Sequence, residues 1–282
     1  MNWNLFSHFK ILFLFCMLFP MREGYAFNLK VASINIRMDT SRDSLNPWRI
    51  RKIQLFEYVK SQKMDVLCLQ ECCKNQLDDF KKAFPGYSVV SISSKKRQCL
   101  NVPILYSTRK FDCLESGTFW LSEHPEIKGK GWDAASSRLA TWAKLKEKRT
   151  GIIFFVYNTH LDNVGKVAKI EGMKLIKHHI KIKANNSPSI LTGDMNSTPN
   201  SEAYKLALVE QIPMTDAYEA APRKYGVSYS FHKYGIRNSR RIDHVFLSES
   251  IMVRDVCIPQ EKKENGCYMS DHNPVVVNIV IK

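Results

Sequence analysis

Asp194 and Asn196 lie two residues apart, directly behind the short apolar run Ser189-Ile190-Leu191-Thr192. In an extended chain, residues two apart project to the same side, so these two side chains can act on one substrate atom. A carboxylate held in this way can polarise a water molecule, and the neighbouring carboxamide can donate a hydrogen bond to a phosphate oxygen. Gly193 gives the backbone the freedom to turn just before them. Asp and Asn in such a place are also common loop caps, so the chemical interpretation needs support from elsewhere in the sequence.

Polar side chains border five other apolar segments of the sequence. They are Asn35, Gln70-Glu71, His160, Asp243 and Asp271-His272. An unpaired carboxylate such as Glu71 beside a buried strand costs on the order of several kcal/mol unless it reaches water or binds a cation. Glu71 is therefore a candidate metal ligand. Each of the other positions, taken alone, is explained equally well by a turn or a cap, but six polar groups at strand ends favour a common site.

The elements that would position these groups follow from the apolar periodicity. Strands are predicted over Leu29–Ile36, Met64–Leu69, Tyr87–Ile92, Val102–Tyr106, Gly117–Ser122, Leu139–Leu145, Ile152–Tyr157, Ser189–Thr192, Ser228–His232, Ile242–Leu247 and Val275–Val280. One helix is predicted from a cap at Asn46 and a first residue at Pro47 to about Gln62, and others over Gln76–Ala83, Lys166–Lys183 and Glu202–Val209. No Pro-, Gly- or Ser-rich linker divides these elements, so a single domain over residues 27–282 is predicted.

Residues 1–26 have the pattern of a secretory signal peptide. The apolar run Ile11–Phe19 follows Lys10 and is too short to span a bilayer as a mature helix. Small residues at Gly24 and Ala26 predict cleavage after Ala26, which leaves Phe27 as the first residue. An uncleaved anchor or an amphipathic start is the alternative. The predicted location is the periplasm or the outside of the cell.

The chain is strongly basic, with a formal net charge of +15. This balance favours association with polyanions such as nucleic acid, anionic lipid surfaces or phosphorylated substrates, although it also fits a basic surface that serves only solubility. Arg138 precedes a predicted strand, and Arg241 ends the basic loop Arg237–Arg241. Both are candidates for gripping a substrate phosphate, with a surface salt bridge as the alternative. Lys95-Lys96-Arg97 and the lysine-bearing loop 128–133 add further basic surface.

Of the eight cysteines, Cys16 lies in the predicted signal peptide, so an odd number remains and at least one is unpaired or joins two chains. Cys68 is predicted to be a core residue. Cys72 and Cys73 are neighbours and cannot easily pair with one another. Disulfides are open to four others, without any indication of connectivity: Cys99, Cys113, Cys257 and Cys267. No cysteine or histidine spacing indicates structural zinc.

Taken in order, the motifs of the chain resemble those of the endonuclease/exonuclease/phosphatase superfamily, the fold of pancreatic deoxyribonuclease, and within it a secreted bacterial branch. The resemblance extends from Leu29 to the C-terminus. The motifs that carry it are Asn35-Ile36-Arg37, Asn46-Pro47-Trp48, Gln70-Glu71, Gly117-Thr118-Phe119-Trp120-Leu121-Ser122, Gly131-Trp132-Asp133-Ala134-Ala135 and Asn158-Thr159-His160-Leu161-Asp162. The resemblance implies a four-layered α/β sandwich, in which two packed, mostly antiparallel mixed sheets are flanked by helices and the site lies at one edge.

The resemblance also implies a metal site. Glu71 would be the principal ligand of Mg²⁺, an ion that Mn²⁺ can replace, with Asn35 and Asp271 beside it. Oxygen ligands of this kind suit a hard cation. Whether one or two ions bind is left open by the sequence.

The remaining family roles fall on five residues. Asp194 would orient or deprotonate the attacking water, and Asn196 would hold a phosphoryl oxygen. His160 and His272 would donate to the charge that develops on the phosphoryl group. Asp243 would fix the tautomer of His272 and favour its protonated form.

One departure from the family pattern concerns His160. Related chains often carry a Gly-Glu pair just before the strand that corresponds to Val102–Tyr106, and this chain has Cys99-Leu100 there. A carboxylate that could brace His160 is therefore missing, so another group must hold the histidine or its role is weaker.

The function favoured by these features is Mg²⁺-dependent hydrolysis of phosphodiester bonds, with nucleic acid as the substrate that the charge favours and the chain acting as a monomer. The alternative is a sphingomyelinase-like enzyme or another phosphoesterase of phospholipids or sugar phosphates. A membrane surface would be a partner only for a lipid substrate, with Phe119, Trp120 and Trp132 facing it. A catalytically silent protein that binds polyanions is a third interpretation, and it predicts loss of metal or histidine positions that the chain retains.

Overall fold

The computed structural model describes residues 26–43, 45–92, 99–236, 239–260 and 266–282. Three sequence predictions fall outside these residues: nearly all of the signal peptide, the basic segment Lys95-Lys96-Arg97, and Arg237 at the start of the second basic loop. Among the described residues, no helix combines the length and the apolar character needed to cross a membrane.

The described chain forms thirteen strands and five α-helices. The strands are β1 (Phe27–Asn35), β2 (Val66–Gln70), β3 (Tyr87–Val90), β4 (Ile104–Ser107), β5 (Phe111–Trp120), β6 (Leu139–Glu147), β7 (Ile153–His160), β8 (Ser189–Asp194), β9 (Met214–Asp216), β10 (Lys224–Gly226), β11 (Asp243–Ser248), β12 (Ile251–Ile258) and β13 (Val275–Ile281). The helices are α1 (Trp48–Gln62), α2 (Lys74–Ala83), α3 (Lys166–Ala184), α4 (Glu202–Val209) and α5 (Ala217–Ala220).

The strands form two mixed sheets. One has the order β10-β12-β13-β1-β2-β4-β3 and the other the order β5-β6-β7-β8-β11-β9. Parallel pairing is confined to β1 with β2, β10 with β12, and β7 with β8. Every other neighbouring pair in these two sheets is antiparallel.

Four layers result because each sheet buries both of its faces. Side chains alternate between the faces of β1: Leu29 and Val31 enter the core between the sheets, while Ala32 and Ile34 face the helices α1 and α2. This is the period of two that a strand imposes. Helices α3 and α4 cover the outer face of the other sheet in the same way. The predicted α/β sandwich is confirmed.

The pairing register brings the polar strand ends together at one edge. Asn35 at the end of β1 is level with Gln70 at the end of β2. On the facing sheet, His160 at the end of β7 is level with Asp194 at the end of β8, which in turn opposes Asp243 at the start of β11. Strand ends from both sheets therefore meet at the same edge of the sandwich.

One predicted strand is absent from the structure, and several observed strands were not predicted. The segment Ser228–His232 is not a strand: only Phe231 forms isolated bridges, because the Ser230 hydroxyl accepts from the backbone amides that begin β11. The three-residue strands β9 and β10, strand β12 and the first half of β5 were not predicted. Strands β12 and β5 each contain a register shift, between Val253 and Asp255 in β12 and between Cys113 and Glu115 in β5. Such a shift breaks the alternation on which prediction depends.

A disulfide joins Cys73, which precedes α2, to Cys99. The sequence left this pairing open. The backbone of the adjacent Cys72 also pairs with Asn101, so the chain just after Glu71 is tied to the segment before β4 by a covalent bond and by hydrogen bonding. Cys68 is buried in the core, as predicted.

Gly193 is required for a different reason from the predicted turn. It lies inside β8 with φ +149°, and a Cβ atom there would lie 2.0 Å from the carbonyl oxygen of Thr159 on β7. Glycine is needed because the two strands approach closely, and this approach sets the position of Asp194.

We therefore expect Gly193→Ala to lower the free energy of unfolding by about 1–3 kcal/mol from backbone strain alone, with a further loss because the backbone of Thr159 must shift. Gly86→Ala is the matched control, since a Cβ there meets nothing within 4 Å, and its effect should lie within about 0.5 kcal/mol. Urea unfolding of both variants measures the difference. Equal stability of the two variants would contradict the close approach.

Candidate active site

Asp194 lies at the centre of the polar edge. Its Oδ2 accepts a hydrogen bond from Asn35 Nδ2 at 3.0 Å, and it lies 3.3 Å from His160 Nε2 and 3.7 Å from His272 Nε2. The Asp194 side chain is buried. Burial raises the pKa of Asp194, and the negative charge of Asp243 raises it further. The positive charge of His272 works in the opposite direction but does not outweigh them. A carboxylate with a raised pKa is suited to accept a proton from a nucleophile.

His272 and Asp243 form a buried pair, in which Nδ1 of the histidine lies 2.7 Å from Oδ2 of the aspartate. This contact fixes a proton on Nδ1 and turns Nε2 toward Asp194. Burial works against a charged imidazole, but the carboxylates of Asp243 and Asp194 outweigh it and raise the pKa of His272. The ring of Phe231 packs beside His272 with its centroid 4.9 Å away. The structure thus contains the Asp243–His272 contact that the resemblance implied.

His160 is held by Asn196. The Nδ2 of Asn196 lies 3.0 Å from Nε2 of His160 and also donates to the carbonyl of Leu161. Asn196 has φ +45°, and its backbone amide donates to Oδ1 of Asp194, which turns the side chain back toward the histidine. The ring therefore has a polar neighbour although the Gly-Glu pair of the family pattern is missing. Burial, together with the charges of Arg138 and His272, lowers the pKa of His160, so this ring is neutral.

Asn35 and Glu71 are neighbours, as predicted, but the amide nitrogen of Asn35 faces the carboxylates. Asn35 Nδ2 lies 3.4 Å from Glu71 Oε1 in addition to its bond with Asp194. Its Oδ1 accepts from the backbone amide of Arg37. In this orientation Asn35 positions Asp194. Glu71 has φ +56°, and its Oε2 accepts from the amide of Met38.

Arg37 is a functional candidate. It belongs to the motif Asn35-Ile36-Arg37, but no role was predicted for it. Its guanidinium lies 3.1 Å from Asp43, 3.7 Å from Glu71 and 4.0 Å from Asp271. Only Ile36 separates Arg37 from Asn35 at the end of β1, and this closeness to a predicted ligand was the signal that could have identified it.

Arg138, a predicted phosphate-binding residue, contacts two side chains of the protein itself. Its Nε lies 3.4 Å from Asp162 and its Nη2 3.3 Å from Asn163. The charge of Arg138 adds to the effect of burial in lowering the pKa of His160. Asp162 also accepts from several backbone amides, which lower its pKa to about 2 against the effect of burial.

Arg241 is not brought to the Asp194 cluster by any described contact. Its guanidinium forms ion pairs with Asp216 and Glu219, and it lies 4.6 Å above the ring of Tyr218. The arginine is buried. Its predicted contact with a substrate phosphate therefore has no support in the structure.

The site has the donors that a divalent cation needs. Glu71 and Asp271 come from different strand ends and already face one positive group, the Arg37 guanidinium, so both carboxylates point to a common region. The ligand atoms of Asp194, Asp243 and His272 also lie within 4.8 Å of one another, and Asp243 Oδ1 is buried without a hydrogen-bond partner among the described residues. Carboxylate oxygens of this kind suit a hard cation.

Comparison with known proteins agrees with this geometry. The model of the endonuclease/exonuclease/phosphatase family matches residues 32–272. The structure is similar to an endonuclease/exonuclease/phosphatase from Bacteroides vulgatus, with 34% identity, a TM-score of 0.86, and coverage of 91% of this chain and 100% of that one. It is also similar to a mannosyl-6-phosphatase from Bacteroides thetaiotaomicron, with 34% identity, a TM-score of 0.80, and coverage of 89% and 99%. TDP2 from D. rerio, complexed with a single-strand DNA product, shares the fold at 18% identity and a TM-score of 0.71, with coverage of 89% and 98%.

The Asp243–His272 pair generates a direct test. In Asp243→Asn the carboxylate that favours the imidazolium is lost, so the pKa of His272 should fall by about one pH unit or more, and phosphoesterase activity should fall about 10²-fold or more. An NMR titration of the histidine rings in the metal-free protein measures the pKa. Asp112→Asn removes an exposed carboxylate and serves as the control. An unchanged titration of His272 in Asp243→Asn would contradict the assignment.

Proposed function

Since the chain belongs to the endonuclease/exonuclease/phosphatase family and is thus a phosphoric ester hydrolase, we propose that it hydrolyses its substrate by Mg²⁺-dependent, in-line attack of water on phosphorus. One observation carries the proposal: the buried carboxylate of Asp194 lies within reach of Asn35, His160 and His272 at once. This arrangement surrounds one potential proton acceptor with groups that can hold a water and a phosphoryl group.

Asp194 would take a proton from the attacking water. Its raised pKa, caused by burial and the charge of Asp243, makes it a better base than an exposed carboxylate. Asn35 would hold the side chain in place through its 3.0 Å hydrogen bond. The other oxygen of Asp194, Oδ1, accepts from the backbone amide of Asn196, so hydrogen bonds fix the orientation of the carboxylate that would orient the water.

His272 and Asn196 would stabilise the charge on the phosphoryl group. Asp243 stabilises the protonated imidazolium of His272, which can donate a hydrogen bond from Nε2. Because His272 is buried, such a hydrogen bond is stronger than it would be in water. Asn196 Nδ2 would donate to a second oxygen in place of its contact with His160, while it keeps its hydrogen bond to the Leu161 carbonyl. A divalent cation held by Glu71 and Asp271 would supply further stabilisation of the phosphoryl and leaving oxygens.

Two substrate classes have support. The net charge of +15 and the exposed side chains of Lys128 and Lys130 favour a nucleic acid phosphodiester, but Arg241 is engaged elsewhere. Sugar phosphates, which were part of the alternative, are favoured by the 34% identity to a mannosyl-6-phosphatase over 89% of this chain. The sugar phosphate candidate has the more specific support of the two.

A sphingomyelin-like substrate is less well supported. Of the three residues that were predicted to face a membrane, Phe119 and Trp120 are buried. The Phe119 ring stacks on His179 of α3 at 4.5 Å, and Trp120 packs with Val102 and Leu139. Trp132 is partly exposed, so only one of the three rings has surface that a lipid could contact.

We also propose that residues 1–26 are a signal peptide and that the protein acts in the periplasm or outside the cell as a monomer. The apolar run before residue 20 and the small residues at Gly24 and Ala26 support this. The Cys73–Cys99 disulfide is of the kind that persists in oxidising compartments.

Expression of the full-length chain in a secreting bacterium should yield a protein whose N-terminal residue is Phe27. Sequencing of the N-terminus measures this directly. An intact Met1 on the exported protein would contradict cleavage after Ala26.

Hydrolysis assays should separate the substrate classes. With Mg²⁺ the protein should release phosphate from mannose 6-phosphate or another sugar phosphate, or cleave single- or double-stranded DNA or RNA, and EDTA should abolish the activity. Asp194→Asn should lose about 10²–10⁴-fold in kcat, while the exposed control Asp112→Asn should retain wild-type activity.

Phosphate release from the sugar esters with no cleavage of nucleic acid would establish the second substrate class, and the reverse result the first. Wild-type activity in Asp194→Asn would contradict the proposed role of this carboxylate. Undiminished turnover in EDTA would contradict the metal dependence.

A further inference from the structure

The main chain at Arg37 is held so that its side chain must enter the site. Arg37 has φ +54°, and its backbone amide donates to Asn35 Oδ1. Its carbonyl accepts from Arg51 Nη2 at 3.1 Å and from Gln76 Nε2 at 2.9 Å. The left-handed conformation is costly for arginine, so these hydrogen bonds fix a position that the chain would otherwise avoid.

Arg51 strengthens this constraint. It is fully buried and donates to the carbonyls of Ile36, Met38, Asn46 and Met269 as well as to that of Arg37. Three separate segments of chain are therefore joined at the base of the Arg37 side chain. The guanidinium of Arg37 is built into the edge of the site.

The Arg37 guanidinium hydrogen-bonds to one carboxylate and lies at longer distances from two others. Nε and Nη2 bind Asp43 at 3.1–3.3 Å. Nη1 lies 3.7 Å from Glu71, and Nε lies 4.0 Å from Asp271. The Arg37 side chain is 26% exposed, so part of it is open to solvent beside two carboxylates that are the expected metal ligands.

This position conflicts with a second divalent ion. In sites with two metals, the ions lie about 3.5–4 Å apart and share carboxylate ligands. A guanidinium within 4.0 Å of both Glu71 and Asp271 would face any second ion at close range, and like charges at such distances repel strongly away from bulk water. Arg37 already supplies a positive charge at this place.

We propose that Arg37 takes the place of a second divalent cation, so that the site binds one metal ion per chain and the guanidinium balances the remaining negative charge of Asp43, Glu71 and Asp271. Guanidinium groups also bind phosphate oxygens through paired N–H donors, so the exposed part of Arg37 is placed to contact the phosphoryl group. This inference rests on the proposed metal-dependent function.

The first test counts metal ions without any substrate. Metal-free protein is titrated with Mn²⁺, and the free ion is followed by electron paramagnetic resonance. The wild type should bind one ion. Arg37→Gln should bind two, because Glu71 and Asp271 then lose the guanidinium that faces them both, whereas Asp43 keeps its contact with Arg51. Arg42→Gln removes the same charge from an exposed neighbour and should bind one.

A second measurement separates charge replacement from loss of structure. At low Mn²⁺ concentration, kcat of Arg37→Gln should be reduced at least about tenfold, and high Mn²⁺ concentration should restore much of it. Arg37→Lys keeps the charge and should bind one ion, with no such restoration. Thermal melting of the metal-free variants shows whether each is folded before it is compared.

The outcomes distinguish the role of Arg37 from the metal dependence of catalysis. Two ions in the wild type, or one ion in a folded Arg37→Gln whose activity does not respond to added Mn²⁺, would overturn the role of Arg37 while leaving metal-dependent catalysis intact. No Mn²⁺ binding by the wild type, together with hydrolysis that resists EDTA, would overturn the metal dependence itself and the inference with it.

Discussion

The buried ion pair between His272 and Asp243 is the interaction on which the site depends. Two ionised groups inside a protein each lose hydration worth on the order of several kcal/mol, and only close contact with good geometry offsets this loss. The 2.7 Å contact between them meets this condition. Asp194 lies next to this pair, so the charge of Asp243 contributes to the raised pKa of both Asp194 and His272.

The cluster is assembled from strand ends that belong to both sheets. Asn35 reaches the edge on the seven-stranded sheet, whereas His160, Asp194 and Asp243 reach it on the six-stranded sheet. The parallel pairs β1–β2 and β7–β8 place strand ends side by side, and the absence of a Cβ at Gly193 lets β8 approach β7 closely just before Asp194. The catalytic geometry is thus a consequence of strand register, and a slip of one residue would turn the same side chains to the opposite face.

The sequence predicted the layers and the polar strand ends because apolar periodicity and local polarity carry that information. It did not predict β12, since a bulge disrupts the alternation, and it could not assign Cys99 a partner, since pairing depends on the fold. It could not reveal the ion pairs of Arg241 with Asp216 and Glu219, because these partners are distant in sequence. Arg37 received no role because its importance depends on three carboxylates that only the fold brings together.

Hydrolysis of a phosphate ester in oxygen-18-labelled water, in the presence of Mg²⁺, tests the central claim most directly. Attack of water on phosphorus places one labelled oxygen in each phosphoryl product molecule and none in the alcohol, and Asp194→Asn should form this labelled product about 10²–10⁴-fold more slowly. Label in the alcohol product would show that the carbon–oxygen bond is broken, and formation of labelled product at the wild-type rate in Asp194→Asn would show that another group activates the water. Either result would contradict the mechanism.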